Sequence, residues 1–187
     1  LIFEHTEADQ AALVLTFITA VGNLVGTGTY FNVEGIDHSP RLFVALVGQS
    51  SKARKDSTWH RTRDVVSRVD PTWQPRAGLQ SGEGLVFAVR DPRTRGEGDD
   101  LEVIDEGVTD KRCLVVESEL SSMLNVMSRA GNTLSAVLRQ AWDHGDLANL
   151  ARNKGHGAEV STGAHVSLLG FITQVELPRV LKEIDAA

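Results

Sequence analysis

The stretch Gly48-Gln49-Ser50-Ser51-Lys52-Ala53-Arg54-Lys55-Asp56-Ser57-Thr58 concentrates the residue types that hold a phosphate group. Such a loop needs small residues that let backbone N–H groups turn inward and a lysine that neutralises phosphate charge. It also needs a hydroxyl at the start of the next helix to ligate Mg²⁺. Gly48, Ser50 and Ser51 supply the small residues, and Lys52, Arg54 and Lys55 the positive charge, with Lys55 as the phosphate lysine. Ser57 or Thr58 supplies the hydroxyl, Ser57 being the candidate metal ligand. The wording departs from G-x-x-x-x-G-K-[ST]. Counted from Gly48, the sixth and seventh places hold Ala53 and Arg54, Lys55 falls one place late, and Asp56 separates it from Ser57. The competing reading is a basic surface turn between a strand and a helix.

Two further clusters could complete a nucleotide site. Leu114-Val115-Val116-Glu117-Ser118-Glu119 is an apolar run ending in a pair of carboxylates. Nucleoside triphosphatases use that arrangement to hold Mg²⁺ and to orient the attacking water. Glu117 is the candidate on the metal side and Glu119 the candidate water-orienting base. Phe171-Ile172-Thr173-Gln174 ends a second apolar run on polar side chains, and Thr173 stands where a γ-phosphate sensor would. Each cluster alone also fits a strand end running into a loop. Glu83, within Ser81-Gly82-Glu83-Gly84, reads as a turn residue ahead of a strand.

Other chemistries find less support. His5, His38, His60, His144, His156 and His165 show no metal-ligand spacing, and the single cysteine, Cys113, cannot anchor a zinc site. No G-x-S-x-G elbow is present. Trp59, Trp73 and Trp142 fall on or near helical patterns and read as core or interface residues. Arg129, Arg139 and Arg152 are the arginines that could act on a neighbouring subunit's phosphates.

These groups must be positioned by regular elements. Asp9 caps a helix whose apolar residues recur at Leu13, Val14, Phe17, Ile18, Val21, Leu24 and Val25. Tyr30-Phe31-Asn32-Val33 reads as a short strand, and Leu42 to Val47 as a strand buried on both faces that ends at Gly48. Trp59, Thr62, Val66 and Val69 mark a helix closed by Pro71 and Pro75. Leu85 to Val89 reads as a second strand, residues 91 to 110 as a mobile acidic loop, and Cys113 to Val116 as the third strand. Helices follow over Leu120 to Met127 and from Leu134 to Trp142. His165 to Ile172 is the fourth strand, and Leu177 to Ile184 a closing helix with Pro178 in its first turn. Strands alternating with helices imply parallel βαβ units, in which ligands bind beyond the carboxyl ends of the strands. The three polar clusters fall at such ends.

Composition sets the frame. The 187 residues are 41% hydrophobic and 24% charged, enough for one sizeable core, and the net charge is −6. Six basic residues lie between Lys52 and Arg68, while Glu97 to Asp110 is strongly acidic. A local positive cluster in an acidic protein suits one bound phosphate better than a long nucleic-acid track. One cysteine within an apolar run fits a reducing compartment. No apolar run approaches the ~18–20 residues that span a bilayer, and no signal-peptide pattern is present, so a cytoplasmic protein without a membrane partner is expected. The chain begins at Leu1 and reads as a piece of a longer polypeptide.

The order of segments resembles an uncharacterised family of P-loop proteins from bacterial chromosomes, prophages and plasmids, often linked to primase–polymerase or helicase modules. The matching stretches are Ala20 to Asn23, Tyr30-Phe31, Val33 to Gly35, Leu42 to Gly48, Ala53 to Lys55 and Ser81 to Leu85. Arg90 to Pro92, Leu114 to Leu120 and Gly163 through Thr173 complete them. The resemblance implies an α/β, RecA-like P-loop NTPase with a largely parallel sheet flanked by helices. Residues 1–40 would form a helical lead-in packed on the core, and 41–187 the NTPase-like domain. It also implies Lys55 as the phosphate lysine, Glu117 and Glu119 as the second carboxylate motif, and Thr173 as the sensor. Asp56 stands where a glycine is expected after that lysine. The expected function is an ATP- and Mg²⁺-dependent, helicase-like replication ATPase of a mobile element or phage. Single-stranded DNA is the expected partner of the full-length protein, and a homo-oligomeric ring the expected assembly. The alternatives are a non-hydrolysing nucleotide-binding regulatory or assembly module, and a structural interaction domain.

Overall fold

The computed structural model describes residues 8–49, 55–96, 100–148 and 159–185, with backbone only for Lys55, Asp56 and 183–185. Its centre is a parallel sheet of three strands: β3 (Phe43–Gly48), β6 (Arg112–Glu117) and β9 (His165–Thr173), in the order β3-β9-β6. β9 lies in the middle and is buried from His165 to Ile172. Side chains alternate across it. Val166, Leu168 and Ile172, with Cys113 and Val115 of β6, face α3 (Gly82–Ala88), α4 (Leu120–Met127) and α5 (Leu134–Asp143). Leu169 and Phe171, with Leu114 and Val116 of β6 and Leu46 of β3, face α1 (Gln10–Val25) and α2 (Lys55–Val69). Burial on both faces explains why the β6 and β9 sequences are apolar runs rather than alternating ones. The closing helix is α6 (Glu176–Asp185).

The helix starts follow local chemistry. Asp9 Oδ1 accepts the Ala12 N–H at 2.9 Å and caps α1. Thr173 and Glu176 form a reciprocal capping box ahead of α6, the Thr173 N–H and hydroxyl donating to Glu176 Oε2 and the Glu176 N–H donating to Thr173 Oγ1. α1 carries no charged residue. Residues Gln10–Gly28 form a 19-residue helical stretch long and apolar enough to cross a membrane by length and composition. That corrects the expectation that no such stretch exists. Its inner face is nonetheless core: Leu13, Thr16, Ala20 and Asn23 are fully buried.

Three expectations are revised. Leu85 to Val89 is not a strand. The run belongs to α3 and its C-cap Val89, because Ser81 Oγ accepts the Gly84 N–H at 3.1 Å and starts a helix that buries Leu85, Val86 and Val89. The sheet's outer edge beside β6 is extended instead by Arg76, whose N–H donates to the Leu114 carbonyl and whose carbonyl accepts from Val116, both at 2.8 Å. Within residues 91 to 110, β4 (Arg93–Arg95) and β5 (Glu102–Asp105) form an antiparallel pair, held by Arg90 and Arg93 against Asp105 at 2.7 and 3.8 Å. Finally, β3 is an edge strand, with Val47 44% exposed, rather than one buried on both faces. Two short pairs complete the strands: β1 (Phe31–Val33) with β2 (Ile36–His38), and β7 (Leu147–Ala148) with β8 (Val160–Ser161).

Candidate functional site

Because β3, β9 and β6 run parallel, their carboxyl ends share one edge of the sheet. Gly48 lies directly opposite Thr173, and the Gly48 carbonyl accepts the Gln174 N–H at 2.9 Å. Glu117 lies opposite Gly170, three residues short of Thr173 on β9. The fold therefore brings Gly48, Thr173 and Glu117, three residues singled out from sequence, to the same edge. This is also the edge where ligands bind open α/β sheets.

The segment after Gly48 leads to α2, whose first residue is Lys55. Ser50, Ser51, Lys52 and Arg54 lie outside the described residues. Ser57, in the first turn of α2, is exposed. Thr58 is 1% exposed and faces inward, so of the two hydroxyl candidates Ser57 is the one open to a ligand. A 15-residue helix presents its unpaired N–H groups and positive dipole end at its first turn, which is separated from the end of β3 by six residues in the sequence. The helix is seated by Val66, in the core beneath it, and by Trp59 against Trp73, with ring centroids 6.5 Å apart.

The carboxylates divide by environment. Glu117 is only 9% exposed, and its Oε1 accepts the Leu79 N–H at 2.7 Å. It thus ties the 76–79 segment to β6. Glu119 is exposed at the N-cap of α4 and makes no capping hydrogen bond there. Its helix is held close to the sheet by Gly170: a Cβ at that position would come within 2.6 Å of Leu120 Cδ1. Thr173 is half-buried and its hydroxyl is committed to Glu176 at 2.7 Å. Sequence reading treated Glu83 as a turn residue. It stands exposed in the first turn of α3, four residues beyond Leu79. Its signal was the helix-capping Ser81 two residues earlier, which moves the helix start to Gly82.

Glu117 gives a test of its structural share. Glu117→Ala leaves the Leu79 N–H without its acceptor and is expected to lower stability by about 1–3 kcal/mol. Glu117→Gln keeps an acceptor and should cost less. Thermal unfolding of the two variants side by side reads the difference.

Groups elsewhere are structural. Burial pushes the Cys113 thiol up to about 11, so it is a poor nucleophile at neutral pH. Burial likewise holds the His165 imidazole below its ordinary value, and its Nε2 lies 3.0 Å from the Gly22 carbonyl. The Asp70 carboxyl is held at about 2 by the Thr72 hydroxyl and by Arg112, which joins Asp70 and Asp110 at 2.8 Å each. Among the described residues no group of three His, Cys, Asp or Glu side chains could hold a metal ion. No protein-family model matches this chain, and no curated protein is similar to it.

Proposed function

We propose that this chain is a RecA-like P-loop domain that binds ATP with Mg²⁺ at the carboxyl edge of its sheet and hydrolyses it as part of a helicase-like replication protein. One observation carries the reading. The glycine that ends β3 lies at the same edge as the carboxylate end of β6 and the polar end of β9, and the lysine that opens α2 follows it in the sequence. In this reading Lys55 and the α2 N-terminus take the phosphates, with Gly48, Ser50, Ser51, Lys52 and Arg54 as the further phosphate-binding candidates.

The residues present fit a Mg²⁺ ion of the kind that keeps several waters and takes few protein ligands besides the phosphates. Ser57 would reach it directly, and Glu117 would face it through its second oxygen, since Oε1 already accepts from Leu79. When bound, the ion neutralises developing phosphate charge. Glu119 is the candidate base because it is the carboxylate after β6 that makes no capping bond, and Glu83 is a second exposed carboxylate at the same edge.

A second reading is a nucleotide-binding module without turnover. It is favoured by Glu117 and Thr173 both having intramolecular partners, Leu79 and Glu176. The two readings share binding and differ in hydrolysis. With ATP and Mg²⁺ at about a hundred times Kd, ligand linkage adds about 2.7 kcal/mol of stability, an upward Tm shift of roughly 5–10 °C for a domain of this size. Lys55→Ala, weakening binding tenfold or more, is expected to cut that shift by about half or more at the same ligand concentration. Phosphate release, measured with and without single-stranded DNA, separates the motor from the non-hydrolysing module: its absence in both conditions removes the motor reading.

A further inference from the structure

The β1–β2 hairpin stands off the domain, every residue from Thr27 to His38 being exposed. Its pairing sets Phe31 opposite His38 and Val33 opposite Ile36, which places all four on one face. Asn32 and Asp37 take the other face, joined by an Asn32 Nδ2 to Asp37 Oδ1 bond of 2.7 Å. The turn is Glu34-Gly35, both at positive φ (51° and 85°), and the Gly35 N–H donates to Asn32 Oδ1 at 3.1 Å. A hairpin this defined has an apolar face that calls for a cover, because an isolated two-stranded hairpin is marginal in water. Phe31, stacked on the His38 ring at 5.2 Å, is nonetheless 65% exposed, and Val33 and Ile36 are 46% and 59% exposed.

Elsewhere a cleft of about 380 Å³ opens between α4, α5 and the start of β3, lined by Phe43, Met123, Met127, Leu138 and Trp142. Trp142 packs edge-on against Phe43 at 5.2 Å and is itself 50% exposed. Methionine-lined apolar clefts adapt to an inserted side chain. Among the described residues, the one charged group in this lining is Arg139. The hairpin carries Glu34 and Asp37 and no lysine or arginine.

We infer that the β1–β2 hairpin of one copy of this chain docks into the α4–α5 cleft of another, Phe31 and Ile36 filling it and Glu34, at the turn, meeting Arg139. Complementarity of charge and of apolar character selects this occupant. The hairpin's two carboxylates oppose an anionic membrane surface or a nucleic acid, whereas they suit a cleft whose charge is a single arginine. Among the described residues nothing covers the hairpin's apolar face, which leaves it available to the cleft of a second copy. The two surfaces differ, so the contact either pairs reciprocally in a two-fold dimer or propagates head to tail. The contact is small, so self-association in the micromolar range is expected. It does not rest on nucleotide binding.

Sedimentation equilibrium on the whole chain tests it. Phe31→Ser with Ile36→Ser, and separately Arg139→Glu, are expected to weaken self-association tenfold or more with unchanged circular dichroism, since these side chains have no core role. Combining Arg139→Glu with Glu34→Arg should restore it. Mixing Phe31→Cys and Met127→Cys variants under mild oxidation should give a cross-linked dimer that neither variant forms alone. A protein that stays monomeric to about 100 µM, an association untouched by these changes, or wild-type chain bound to anionic vesicles through the hairpin would overturn the proposal.

Discussion

Glu119→Gln is expected to lower ATP turnover by about 10²–10⁴-fold while nucleotide still binds, the range expected when a positioned general base is lost. The environment of Glu119 makes this a clean experiment. Its side chain is exposed and caps nothing, so glutamine removes the proposed base without disturbing α4. Glu117 offers no such separation, because its carboxylate also holds Leu79. A parallel Glu83→Gln variant distinguishes the two exposed carboxylates. Loss of turnover at Glu83 with none at Glu119 would move the base from the end of β6 to the start of α3. Binding measured alongside hydrolysis keeps either result from being mistaken for a folding defect.

The largest stability effect is expected at Asn23, on the buried side of α1. Its Nδ2 donates to the His165 carbonyl at 3.0 Å and its Oδ1 accepts the Trp73 indole N–H at 2.9 Å, all within the interior. Asn23→Ala leaves the Trp73 indole N–H without its acceptor and removes a donor from the His165 carbonyl, where water does not reach. The expected cost is about 3 kcal/mol, a Tm drop of roughly 6–12 °C. Trp73→Phe made in the same background should cost less than it does in wild type, because the indole N–H has then already lost its acceptor. Equal Trp73→Phe costs in both backgrounds would show that the bond contributes little. The position matters for the site because this network joins α1, the start of β9 and the segment that leads to the outer edge of the sheet.

The elements legible in sequence were those with long, one-sided or fully apolar patterns. α1, α2 and α5 declare themselves by recurrence at three and four residues, and β6 and β9 by unbroken apolar runs. What was misread lacked length or periodicity. Leu85 to Val89 is a short apolar run, and such runs do not separate strand from buried helix. The decisive local cue was Ser81 as an N-cap. The outer sheet position is taken by Arg76, flanked by Pro75, Ala77 and Gly78, where no strand propensity announces it and pairing with β6 alone decides. The acidic stretch hid a hairpin whose signal was charge opposition across strands: Arg95 pairs with Glu102, and Arg93 with Asp105. At the site, residue types and order were readable and environments were not. Nothing in the sequence says that Glu117 accepts a backbone N–H from a segment 38 residues earlier, or that Thr173 closes a capping box while Glu119 stays open.

The central claim is that the carboxyl edge of this sheet, through Lys55 and the start of α2, binds a nucleotide triphosphate. Isothermal titration of the whole chain with ATP in the presence of Mg²⁺, repeated on Lys55→Ala, tests it most directly. Saturable binding near one nucleotide per chain, weakened at least tenfold by Lys55→Ala, is the predicted result. Absence of binding to the folded wild type, or equal affinity for wild type and Lys55→Ala, would contradict it.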